Sequence, residues 1–175
     1  VQMKHFSDGL LGPPVILFRI GFVITVALAF VYKMTAPVIK QGEVDAASAA
    51  RREVLAEGDT FTEFEGALPE GVTAAYKADN GAGYVFTSEA KGFGGPVVYM
   101  VGMDADGKIV GILMFSHEET PGLGTKIGEP DYLANYLGDV NPDTVDAVSG
   151  ATRTSNSLKN SLKQAIEAYS LVKEG

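Results

Sequence analysis

A chain of 175 residues with a formal net charge of −8, no cysteine and two histidines is long enough for one domain with an apolar core plus one appended element. Without thiols it forms no disulfide, no cluster or zinc site on thiolate ligands and no CxxC redox couple, so any redox role requires an organic cofactor. His5 and His117 are too far apart for a multi-histidine metal site, and no metal is expected. In the first forty residues Lys4, Arg19, Lys33 and Lys40 stand against Asp8 alone, which leaves the remainder strongly acidic and makes it a poor partner for nucleic acid.

Residues 1–13 form an N-terminal segment, 14–34 a transmembrane helix and 35–175 the folded domain. The apolar run Val15 to Tyr32 is broken only by Arg19 and spans roughly 18 residues, close to the ~20 a helix needs to cross a bilayer. It has no wet face, Arg19 can snorkel to one interface, and Tyr32 with Lys33 suits the other. A cleaved signal peptide is the competing reading, but the run exceeds a usual apolar core and MTAPVIKQG is a poor cleavage site despite Ala36. The basic residues Lys33, Lys40, Arg51 and Arg52 behind the span would put the domain in the cytoplasm.

Next, EVDAASAARREVLAEGDTF reads as an amphipathic helix, with Val44, Ala47, Val54 and Leu55 on one side and Gly58 as its stop. YVFTSEA (84–90) and VVYMVGMD (97–104) read as strands around KGFGGP, and Asp106-Gly107 marks a hairpin returning into KIVGILMFSHE. Antiparallel strands with helices at both ends make an α+β fold. KGFGGP lacks the pattern of a phosphate loop and leads into a strand, so it reads as a flexible turn.

FSHEETPGLGTKIGEP carries His117, Glu118, Glu119 and Thr120 into a turn through Pro121, Gly122, Leu123 and Gly124. By residue type alone it is a turn with a solvated acidic pair, or a place where two glycines let a flat ligand approach the backbone. Further on, Leu158, Leu162, Ile166, Tyr169 and Val172 recur at helical spacing, so a helix begins near Thr154 to Asn156. DAVSGAT feeds its N-terminus with small residues, hydroxyls and Arg153. That combination suits an anion such as phosphate, against simple N-capping by one hydroxyl.

Asp146-Ala147-Val148-Ser149-Gly150-Ala151-Thr152 resembles, position by position, the Dxx(S/T)GAT signature at which flavin transferases attach FMN to the last threonine through a phosphoester. HEETPGLGTKI resembles the second signature of the same FMN-binding domain. Behind one N-terminal anchor, the two resemble the G subunit of the Rnf complex over essentially the whole chain, with the C subunit of the sodium-translocating NADH:quinone reductase as a relative usually carrying a longer domain.

The resemblance implies that 35–175 is a covalent FMN-binding domain. Thr152 would carry the FMN, and Asp146, Ser149, Gly150 and Ala151 would form the sequence the transferase reads. Thr154 and Ser155 would meet the phosphate. Glu119, Thr120, Pro121, Gly122, Leu123 and Gly124 would lie against the isoalloxazine. It further implies an electron carrier with no catalytic residue or substrate of its own, placed in the cytoplasmic membrane among Rnf-type partner subunits, with its flavin domain on the outer side. That sidedness opposes the charge count and is preferred, because insertion of a lone anchor is assisted by a large complex. A free-standing flavoprotein reductase would instead need His117 as its acid or base, and a non-redox sensor would need no flavin.

Overall fold

The structure, a computed structural model, describes residues 12–174. Of the expected N-terminal segment, residues 1–11, with Lys4, His5 and Asp8, lie outside them. The chain forms two compact units, Val1–Ala46 and Ala47–Gly175. In the first, Pro14–Ala36 is exposed along its length and, among the described residues, is the one helical stretch long and apolar enough to cross a membrane.

The helix α1 runs Gly12–Val54, so the expected anchor and amphipathic helix are one element. EVDAASAARREV is rich in alanine, glutamate and arginine, which favour helix, and nothing in it breaks the hydrogen-bond ladder. The helix also ends before Gly58, because Ala50, Val54 and Leu55 are buried against the sheet.

That sheet is a five-stranded antiparallel meander in sequence order: β1 (Phe61–Glu63), β2 (Val72–Ala78), β3 (Gly83–Lys91), β4 (Pro96–Asp104) and β5 (Ile109–His117). The strands expected from YVFTSEA and VVYMVGMD are β3 and β4, and Gly107 turns the following hairpin at φ +88°. β1 and β2 escape a reading by pattern: β1 has three residues, and VTAAYKA of β2 is rich in alanine and breaks register between Val72 and Ala74.

Side chains alternate between the two faces of a strand, and both faces here are buried. Val85 and Met100 join Val54 and Leu55 on one side, while their neighbours Phe86, Tyr99 and Val101 pack on the other against Leu158, Leu162 and Ala165. Gly102 and Gly111 stand opposite each other on β4 and β5. A Cβ at either would run into the backbone of Val54, so this glycine pair is the seat on which α1 ends.

The second covering helix, α3 (Thr152–Glu174), follows a short α2 (Pro130–Leu133). α3 begins two residues before the expected Thr154, because Ala151 already accepts the first helical bond from Ser155 N at 2.9 Å. Its buried stripe includes Ala165 and Ala168, and Ile166, expected on that face, is exposed.

Tyr99 is fully buried on β4, with its hydroxyl 2.9 Å from Ser157 Oγ. Burial holds the phenols of Tyr99 and Tyr136 well above their ordinary range. The folded chain therefore keeps protons that the unfolded chain releases near pH ~10. Stability is complete below that pH and falls above it, by up to about 1.4 kcal/mol per pH unit for each phenol. Thermal melting from about pH 8 to 11 should show this fall, and Tyr99→Phe should make it shallower.

Candidate functional site

Three segments meet at one end of the sheet. β5 ends with His117 opposite Val97, so the residues after it emerge beside the turn that joins β3 to β4. The start of α3 arrives at the same place from the DAVSGAT loop.

That loop is fixed from several sides. Ala151 N bonds Val148 O at 2.9 Å, closing a turn in which Gly150 has φ +81°, a value glycine adopts without strain. Tyr132 donates its hydroxyl to Asp146 O at 3.1 Å, and Lys159 donates its ammonium to Val145 O. Ser155 Oγ accepts from Val148 N and donates to Ala151 O, both at 3.1 Å. The first helical bond belongs to Ser155, so the amides of Thr152, Arg153 and Thr154 have no intrahelical partner. They and the helix dipole favour an anion at this end.

Glu119 joins the other two segments. Only 5% exposed, its carboxylate accepts from Phe93 N at 2.7 Å and Gly94 N at 3.2 Å, and from the Thr154 hydroxyl at 2.9 Å. The expected solvated acidic pair is thus divided: Glu118 is exposed and Glu119 is buried and bonded. The KGFGGP turn, expected to be flexible, is tied down at both amides. His117 is exposed at the strand end, with Nδ1 accepting from Glu119 N at 3.3 Å.

Beside this carboxylate lies a cavity of about 60 Å³. Among the expected site residues, Glu119, Thr120, Leu123 and Gly124 line it from one signature, Gly150 and Ala151 from the other, and Thr154 from the helix start just beyond it. Thr120 O accepts from Leu123 N at 3.2 Å and Gly124 N at 3.1 Å, which closes the turn and presents Leu123 outward, 43% exposed. Thr152, Ser149 and Asp146 are exposed nearby without lining the cavity, as are Pro121 and Gly122, the latter at φ +74°. Ser155 is fully buried and turned into its own loop. Gly124 admits the Glu119 side chain: a Cβ there would strike it.

Two further lining residues are not among the expected site residues. Arg153 brings a cation, and Phe93 brings an aromatic ring, 72% exposed, from the turn after β3. The signal for Phe93 was an apolar ring set alone among the glycines of KGFGGP.

The family model of the FMN-binding domain matches residues 92–167, from the β3–β4 turn to the middle of α3. The chain is 31% identical to the G subunit of the proton-translocating ferredoxin:NAD(+) oxidoreductase complex of Clostridium ljungdahlii, over 83% of this chain and 84% of that one. It is 29% identical to the G subunit of the Na(+)-translocating complex of Acetobacterium woodii, over 88% of each chain. Similarity to the C subunit of the Na(+)-translocating NADH-quinone reductase of Yersinia pestis, at 37% identity, covers 35% of this chain and 31% of that one.

Ser155→Ala removes the acceptor for Val148 N–H and the donor to Ala151 O inside a buried loop. The expected loss is about 1–2 kcal/mol in chemical denaturation, with faster hydrogen exchange at Val148 than at the sheet amides.

Proposed function

Since this chain belongs to the family of G subunits of ion-translocating ferredoxin:NAD(+) oxidoreductase complexes, we propose that it is the FMN-bearing electron-relay subunit of such a complex. Residues 14–34 anchor it in the cytoplasmic membrane. The domain over 35–175 carries FMN as a phosphoester of Thr152, on the extracytoplasmic side and in contact with the other subunits. One observation carries this reading: a single cavity joins both signature stretches, and an exposed threonine stands beside it at the start of a long helix.

The residues present fit FMN. The unpaired amides of the first turn of α3, with Arg153, offer donors and positive charge to a phosphate. Phe93 and Leu123 offer apolar surface to a flat ring. The cavity is well below the ~300 Å³ of sites that enclose a ligand, so it is a seat that leaves a ring accessible to a redox partner.

The flavin supplies the electron chemistry when bound, and the chain holds it in place. An ester to Thr152 Oγ keeps the carrier from dissociating between electron transfers and leaves the ring system unaltered. Glu119, whose carboxylate oxygens are already bonded to the chain, stands beside the ring site as structure and not as a free base. His117, which a free-standing reductase would need, does not line the cavity. Asp146 and Ser149, exposed on the loop, are open to the flavin transferase that makes the ester.

Co-expression with a flavin transferase should add the mass of one FMN less water to the intact chain, retained on denaturation and absent from Thr152→Ala. Bare polypeptide mass in both, from cells that label a control substrate, would refute the ester.

The lack of cysteine makes sidedness readable from one introduced thiol. Asp106→Cys, on the exposed β4–β5 turn, should react with a membrane-impermeant maleimide in intact spheroplasts. Labelling only after lysis would put the domain in the cytoplasm.

A further inference from the structure

Glu119 is a buried carboxylate whose hydrogen-bond partners are all uncharged: two backbone amides of one turn and one hydroxyl on α3. The surrounding chain is shaped to admit it. A Cβ at Gly92 or Gly124 would strike its carboxylate, and one at Gly94 would strike the backbone carbonyl of Glu118. Glycines that read in sequence as freedom for a turn, or as room for a ligand, are here room for an acid. Between two of them stands Phe93, an aromatic ring left largely in solvent at the edge of the cavity.

We infer that Glu119 is a positioning residue: it clamps the 92–95 turn to the first turn of α3 and so holds Phe93 ready as one wall of the flavin seat before the flavin is attached. This rests on the reading of the cavity as an FMN site. It replaces the expected contact of Glu119 with the ring by an action through Phe93. The Thr154 hydroxyl is committed to the clamp, so only its backbone amide remains for a phosphate. A preformed wall reduces the ordering that the ring must impose when it settles.

Reach, and not charge alone, decides such a clamp, so two substitutions separate the possibilities. Glu119→Gln keeps the length and an oxygen for the two amides, and its NH₂ can donate to Thr154 Oγ. Glu119→Asp keeps the charge and is one methylene short. The full-length chain in detergent, without flavin, is followed by hydrogen exchange at Phe93 and Gly94. The flavinylated chain is followed by iodide quenching of its flavin fluorescence.

Glu119→Asp should raise exchange at the two amides about tenfold and raise the quenching constant about twofold, with Glu119→Gln close to wild type in both. A lower melting temperature in Glu119→Asp, with both readouts as in wild type, would make the carboxylate merely structural and overturn the proposal. Should Glu119→Asp not fold, Thr154→Val decides: a severalfold rise in exchange at Phe93 and Gly94 supports the clamp, and wild-type exchange overturns it. If wild type takes up no FMN, the flavin reading falls, and exchange in the flavin-free chain still decides whether Glu119 holds the turn.

Discussion

A meander of five antiparallel strands whose central members carry apolar side chains on both faces cannot stand in water with either face bare. This constraint governs the domain. Val85 and Phe86, adjacent on β3, point to opposite sides, and each side needs its own cover. The helices that lead into and out of the sheet supply it. The last turns of α1 settle on the glycine pair Gly102 and Gly111, while α3 lies along the face that holds Tyr99 and Phe86. Burial of Leu158, Leu162 and the small residues between them fixes where α3 lies and therefore where its first turn comes to rest.

The site follows from that placement. Antiparallel order brings the β3–β4 turn and the end of β5 to one edge, and the cover of α3 brings its free amides to the same edge. Three chain segments distant in sequence then share one buried acid. Polar groups withdrawn from water need partners, and Glu119 supplies acceptors both to a turn and to a helix, which among the described residues share no hydrogen bond of their own. An exposed threonine, an anion-favouring helix start and two apolar side chains are thereby held together around a small cavity. That arrangement suits a tethered ring that must stay open to an electron partner.

Much of this was legible in the chain because it is local. Strands β3 to β5 announce themselves through β-branched and aromatic runs about Asp106-Gly107, and α3 through apolar residues three and four apart. The span over 14–34 follows from a long apolar run broken only by Arg19 before Lys33, and both signatures are contiguous. Less visible were β1 and β2, whose short or alanine-rich sequences have no period of their own and owe their conformation to pairing, β2 with β3 and β1 with β2. The joining of two expected helices into α1 went unread for the opposite reason, since Pro37 and Gly42 between them are helix-breaking residue types that argue for a break the chain does not make.

The sequence by itself determined the class of fold, the absence of thiol chemistry, the apolar span and the two short stretches on which the functional reading stands. Each of these depends on residue type or on spacing within a few residues. Only the tertiary structure decided that Glu119 is buried while Glu118 is exposed, that Ser155 faces its own loop, and that Phe93 stands at the cavity. Those facts depend on which distant donors come within hydrogen-bond reach. Such meetings are set by how the sheet and α3 pack, and no local pattern in KGFGGP or HEETPGLG records them.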